Sequence, residues 1–325
     1  MHSAIHIESI CILGGAGFIG RRLAAKLAAA GYRLRLLTRH RERNKALLVL
    51  PHCEIVAADI HDPTALAAQL QGCDAVINLV GVLHDSKRAG QGFKDAHVEL
   101  ARTVVQAAKE AGAQRLLHMS ALNASAAAGV SDYLRTKGEA ENLVHTSGKP
   151  ALAVTSFRPS VVFGPEDRFL NRFAELLRIA PGFFPLACPN ARFAPVYVDD
   201  LAQAMAHSLR DSATIDRHYE ICGPKVYTLK QLVTYVAQLT GARVPVIGLN
   251  DRLSRLQARI LGAMPGKPMT YDNYRSMQAD SVCTENGLAA LGVTPTALET
   301  VAPAYLGNSD RRGRYDGFRG RARRD

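Results

Sequence analysis

The segment Gly14-Gly15-Ala16-Gly17-Phe18-Ile19-Gly20 sits where an apolar run, SICIL, gives way to a helical stretch beginning at Phe18. Glycines at 14, 17 and 20 meet three separate demands there: a tight turn, a backbone bare enough for a pyrophosphate to approach, and close packing of helix against strand. The helix N-terminus then points its free N–H groups at the phosphates. A glycine-rich turn without a ligand would satisfy the spacing but has no need of the strand-turn-helix placement. The expectation is therefore a dinucleotide-binding Rossmann unit with Gly14, Gly17, Phe18, Ile19 and Gly20 at the pyrophosphate.

The rest of the first half agrees with that reading. Short apolar runs alternate with amphipathic stretches, the pattern of a parallel sheet covered on both faces. Strands are predicted at 9–13, 34–38, 54–58, 75–80, 115–120 and 152–157, and helices at 18–30, 93–111 and 133–146. Asp62 followed by Pro63 reads as an N-cap with proline in the first turn of a helix running to about Gln71. After Arg158-Pro159 the texture changes, with prolines at 159, 165, 181, 185, 189 and 195. The predicted fold is α/β: a doubly wound Rossmann domain over 1–164, a smaller α/β lobe over 165–308, and a basic disordered tail over 309–325. A strand in HYEICG, near 218–223, is a candidate to rejoin the large sheet, and Val198 to Arg210 reads as a helix capped by Asp199 or Asp200.

The formal charge of +11 resembles a nucleic-acid signal until it is located. Residues 310–325 hold seven arginines and three aspartates, and a second basic run, RLRLLTRHRERNK, follows the second predicted strand. An NAD site usually ends that strand in a carboxylate that binds the ribose 2′-hydroxyl. Here Thr38-Arg39-His40-Arg41 stands instead, and Arg39 suits a 2′-phosphate. NADP(H) is expected over NAD(H). Asp59 follows the third strand and either contacts the adenine or closes a turn; Ile60, Val80, Gly81 and Pro159 are expected to line the same cofactor.

Ser120 closes the fifth strand, and Tyr133 and Lys137 follow at i and i+4 on one helix face. In carbonyl reduction Ser120 would orient the carbonyl oxygen and Tyr133 would donate the proton. Lys137 would bind the nicotinamide ribose and stabilise a phenolate, because free tyrosine titrates near ~10, and Ser120 and Tyr133 are expected to touch the cofactor as well. His97, in the long helix, reads as a packed residue or a proton relay, and Asn78 as a support for the cofactor-side loop.

Taken together, GGAGFIG, HMSALNA, DYLRTKGEAE, FRPSVVFGPEDRFLNRFA and PVYVDDLAQAM resemble the atypical branch of the short-chain dehydrogenase/reductase superfamily, epimerase/dehydratase-like, over roughly residues 8–240. Within it the chain is most similar to the nucleotide-binding accessory subunit of respiratory complex I and its bacterial relatives. That resemblance implies a bound NADP(H), held structurally in the accessory subunit, and a link to a respiratory or quinone-synthesising complex. It departs from sugar-nucleotide epimerases in having His97 where they usually carry asparagine and in a shorter separation of serine from tyrosine.

Two function classes follow: an oxidoreductase acting on an unknown small carbonyl or alcohol, or a non-catalytic nucleotide-holding accessory or assembly factor. Specific nucleic-acid binding is not expected, because no such module is present. The six cysteines lack metal-ligand spacing and read as reduced thiols. No signal peptide or membrane span is legible, so the expectation is a soluble cytoplasmic protein, with a peripheral place on the inner face of the membrane as the alternative.

Overall fold

The protein was analysed as a computed structural model that describes residues 6–83, 85, 90–264 and 267–307. The predicted basic tail lies outside the described residues. The N-terminal half runs β1 (Ser9–Leu13), α1 (Phe18–Ala29), β2 (Arg33–Thr38), a 3-10 segment (Arg41–Val49), β3 (Cys53–Ala57), α2 (Pro63–Leu70) and β4 (Ala75–Asn78). It continues with α3 (Gln91–Lys94), a π-helical turn (Asp95–Glu99), α4 (Leu100–Glu110), β5 (Arg115–Met119), α5 (Asp132–Ser147) and β6 (Ala153–Pro159). The remainder comprises β7 (Val162–Phe163), α6 (Leu170–Ile179), β8 (Phe184–Leu186), β9 (Arg192–Phe193), β10 (Val196–Tyr197), α7 (Val198–Ser208) and β11 (Arg217–Ile221). Then come β12 (Tyr227–Thr228), α8 (Leu229–Thr240), β13 (Val246–Gly248), α9 (Asp251–Ala263), α10 (Tyr271–Ser276) and α11 (Leu298–Leu306).

The main sheet has seven parallel strands in the order β11-β6-β5-β4-β1-β2-β3. β11 does rejoin it, pairing with β6 through Tyr219 opposite Phe157. Its apolar strands bury residues on both faces: Ile10, Ile12, Leu36 and Leu117 meet α1 and α7, while Leu13, Val76 and Leu116 meet α2, α4 and α5. Local chemistry sets several ends. Asp62 accepts the Thr64 and Ala65 N–H groups, so α2 starts where the Asp-Pro pair predicts. Gly31 and Gly112 take positive φ just after α1 and α4.

A separate core of Phe163, Leu170, Leu177, Leu232, Val236 and Leu298 organises the smaller lobe around α6, α8 and α11. Asp199 and Asp200 do not cap α7, because the helix begins at Val198 and puts both in its first turn. Asp200 instead accepts from Thr296 N–H at 2.6 Å and Thr296 Oγ1 at 3.0 Å, tying α7 to the segment before α11. The reduced-thiol expectation is corrected at two positions: Cys222 and Cys283 form a disulfide. They are 61 residues apart and meet because Ser281 and Asn286 bond the strand ends beside Cys222, which no sequence spacing announces.

Candidate functional site

In a parallel sheet all strand C-termini fall on one edge, and the register brings them abreast. Leu13, Asn78, His118 and Ser156 lie on one rung, so Gly14, Leu79, Met119 and Phe157 begin the next. Strand order reverses between β1 and β4, which opens the crevice where nucleotides bind in doubly wound sheets. Gly14, Val80 and Gly81 line that switch point.

At the glycine turn, Gly14 adopts φ +78° and its carbonyl accepts the Gly17 N–H at 2.9 Å. A Cβ on Gly14 would press on Leu79 and Val80 backbone, whereas one on Gly17 would meet only the Gly14 oxygen, leaving that side open to a ligand. Gly20 is the packing glycine: a Cβ there would lie 2.4 Å from the Gly14 oxygen and 2.6 Å from the Gly15 Cα. Gly20→Ala is accordingly expected to destabilise the fold by about 2 kcal/mol or more and to weaken nucleotide binding at least about tenfold. Urea unfolding and a nucleotide titration check this; wild-type behaviour in both would mean that the loop yields. Phe18 closes the other wall, its ring tip 3.2 Å from where a Gly164 Cβ would sit, and Ile19 packs into the core beneath.

Beyond β2, Arg39 is exposed on the turn that Asn44 holds by bonding Thr38 Oγ1 at 3.2 Å and the His40 carbonyl at 2.8 Å. Sequence reasoning missed Arg21, whose Nε donates to the Ala16 carbonyl at 2.9 Å and whose Nη2 reaches Asn44 at 3.2 Å. It places a second guanidinium against the glycine turn, with no sequence signal beyond its place one turn after Gly17. Asp59 closes a turn, accepting the His61 N–H at 3.0 Å, with Ile60 half-buried beside it. Asn78 supports the loop as expected, accepting the Val80 N–H at 3.1 Å. The Pro159 carbonyl accepts from Leu122 N–H at 3.1 Å, joining the ends of β5 and β6.

Ser120, Tyr133 and Lys137 converge at the same edge. The Lys137 Nζ donates to the Met119 carbonyl at 2.9 Å and to the Val80 carbonyl at 3.4 Å, and a Cβ on Gly81 would lie 3.1 Å from it. Burial pulls its pKa down to about 8, against the nearby Glu141 charge. Ser120 is buried, and its Oγ has no hydrogen-bond partner among the described residues. The expected phenolate does not follow from this geometry: burial, aided by the Asp272 carboxylate, pushes the Tyr133 pKa up to about 12. Tyr133 is held as a protonated phenol at neutral pH.

His97 sits in the π-helical turn, its ring 5.6 Å from that of Tyr133. Its Nε2 accepts the Val82 N–H at 3.3 Å, which places the proton on Nδ1, facing Thr136 Oγ1 at 2.9 Å. Burial first, then the charges of Lys137 and His118, depress its pKa to about 2. It is a neutral strut. Asp272 of α10 was also missed; its carboxylate accepts from the Asp132 N–H at 2.7 Å and the Tyr133 N–H at 3.2 Å, capping the helix that carries Tyr133. Ser131 supplies the conventional cap to Leu134.

The family model that matches this chain, over residues 10–222, is that of the NAD dependent epimerase/dehydratase family. The chain belongs to that family. Among curated proteins it is 29% identical over 308 residues to mitochondrial NADH dehydrogenase (ubiquinone) 1 alpha subcomplex subunit 9 of Rattus norvegicus, covering 88% of this chain and 80% of the relative. It is 28% identical to a ceramide reductase of Caulobacter vibrioides over 242 residues, 74% of each chain. The fold is shared with a dTDP-glucose 4,6-dehydratase of Streptomyces venezuelae, solved with NAD bound, at TM-score 0.73 and 22% identity over 96% of this chain and 98% of that one. The family is NAD dependent by description, and the residues at the glycine turn and strand edge fit a nucleotide: an open side at Gly17 and, among the described residues, a buried, unpartnered hydroxyl at Ser120.

Proposed function

We propose that this epimerase/dehydratase-family member is an NADP(H)-dependent oxidoreductase that interconverts a carbonyl and an alcohol. The observation that carries the reading is the Ser120 hydroxyl, buried without a partner beside a lysine tethered to the adjacent peptide. A buried donor left unpaired costs a folded protein about 1–3 kcal/mol, so a partner arriving with substrate accounts for it. NADPH, when bound, would supply the hydride for the carbonyl carbon. Ser120 would orient the carbonyl oxygen by hydrogen bonding, and the Tyr133 hydroxyl would deliver the proton to it as the alkoxide develops. Lys137, Gly81 and Val80 would hold the ribose side, and Arg39 with Arg21 the adenosine phosphate.

Titration of the protein with NADPH and NADH tests the cofactor assignment. Arg39→Ala is expected to weaken NADPH binding about tenfold and leave NADH within a factor of about two, since only the former loses a charge-assisted contact. Equal losses for both nucleotides would sink the 2′-phosphate role. Carbonyl-dependent oxidation of NADPH then tests turnover.

A second reading is favoured by the long match to a respiratory-complex subunit: the nucleotide would stabilise an accessory or assembly protein by mass action, without chemistry. Tight NADPH binding, a raised unfolding temperature and no turnover across carbonyl substrates would select it.

A further inference from the structure

We propose that α9 is a membrane-contact helix that seats the mouth of the site on an anionic lipid bilayer. The helix buries only its small residues, Ser254 and Ala258, against the protein. On the opposite face Leu253, Leu256, Ile260 and Met264 stand 47%, 53%, 55% and 47% exposed. Their spacing of three or four residues makes one continuous stripe at helical period. An apolar ridge of this kind on the outer surface costs solubility unless something covers it.

The flank of the stripe says what covers it. Arg252, Arg255 and Arg259 repeat at the same helical spacing along one side, all exposed. Arg255 meets the single acidic residue of the helix, Asp251, at 3.0 Å, and Arg259 lies over the Tyr271 ring at 5.5 Å, with Tyr271 itself 41% exposed. Aliphatic residues on the outer face, arginines along its edge and an amphipathic aromatic beside them are the parts of a helix lying in a headgroup region. A second copy of the chain is a poor occupant: it brings the same arginines and the same net charge of +11. Anionic headgroups supply the complement. Among the described residues no helix is long and apolar enough to cross a membrane, so the contact is interfacial.

α9 packs on α10, and α10 packs on α5. Asn273 reaches the Leu83 carbonyl at 3.3 Å, Lys267 the Asp85 carbonyl at 3.1 Å, and Asp272 the start of α5 at Tyr133. A bilayer against α9 therefore lies one helix away from α5, the helix that carries Tyr133. The docking itself does not depend on turnover.

Cosedimentation of the full chain with phosphatidylglycerol vesicles, against phosphatidylcholine vesicles, decides the matter. The wild type is expected to bind the anionic vesicles more tightly and to lose binding as salt rises. Arg252→Gln with Arg259→Gln should weaken binding about 25-fold, at about fivefold per charge. Leu256→Glu with Ile260→Glu should weaken it at least about tenfold. The arginine-rich 310–325 segment is common to every variant, so differences between them report α9. Unchanged unfolding midpoints and NADPH affinity in these variants separate loss of docking from loss of fold or of the nucleotide site. Equal sedimentation of wild type and both variants, no sedimentation of the folded wild type, or a dimer dissolved by Leu256→Glu would each overturn the proposal.

Discussion

Replacing Tyr133 by phenylalanine is expected to lower carbonyl-dependent NADPH oxidation by about 10²–10⁴-fold, the usual share of a positioned general acid. The change removes one oxygen and leaves the ring in place against His97 and Phe93, whose centroids lie 5.6 and 6.0 Å away. NADPH affinity should therefore stay within a factor of about two, since the residues proposed to hold the ribose are Lys137, Val80 and Gly81. The loss should appear in kcat and kcat/KM alike, as it does when an interaction made only in the transition state is deleted. With the phenol held up to about 12 by burial and Asp272, the acid stays loaded, and the reduction rate should not fall between pH 7 and 9 through loss of this proton. Steady turnover by Tyr133→Phe at the wild-type rate would assign the proton to another group and leave the phenol a packing residue.

The parts of this molecule that were legible in the sequence share a cause: each is decided within a few residues. Gly14 to Gly20 encode their turn through φ and through the absence of Cβ atoms, and Asp62-Pro63 encodes a helix start, so both are readable from local chemistry. Strand alternation with helices determines a parallel sheet, and the handedness of its crossovers then restricts the topology. What stayed hidden depends on partners far along the chain. Arg115 reads as an ordinary strand-start arginine, yet it is buried and donates to Ala153, Thr155, Ser208 and Thr214 at 2.6–3.0 Å. Asp272 caps a helix 140 residues before it in the chain, and Cys283 bonds to Cys222 across 61 residues. The π-helical turn at Asp95–Glu99 falls inside the helix predicted over 93–111, and its flanking residues keep helical angles, −66° and −39° at Glu99, so no helix end or breaker marks it in the sequence. Tyr133 shows the same limit within the site: the i, i+4 spacing puts it one turn from Lys137 but carries no information about its burial or about Asp272, which together raise its pKa.

Acid should unfold this protein unusually early, and two histidines behind the site are the reason. His97 and His118 are 3% and 2% exposed, and burial, reinforced by Lys137, holds their pKa values at about 2 and about 3. In the unfolded chain both titrate near ~6.5. Below that pH the unfolded state therefore binds protons that the folded state refuses, and stability falls as pH falls, by about 1.4 kcal/mol per pH unit for each histidine. Together they remove roughly 7 kcal/mol between about pH 6.5 and 4, comparable with the whole stability of an ordinary domain. Asp167, Asp200 and Asp272 act in the opposite sense, because burial raises their pKa values and their folded forms take up protons first. His118 is the cleaner of the two to test, since neither ring nitrogen has a partner among the described residues, whereas His97 carries bonds to Val82 and Thr136. His118→Leu should be at least as stable as wild type at pH 7, where an unpaired buried imidazole has been removed, and should lose about 1.4 kcal/mol less per pH unit on acidification. Urea midpoints at pH 7, 6 and 5 measure both quantities. An acid limb of the same slope in the variant would mean that His118 accepts its proton inside the fold, and the rung it shares with Asn78 and Ser156 would then hold a charge beside Lys137.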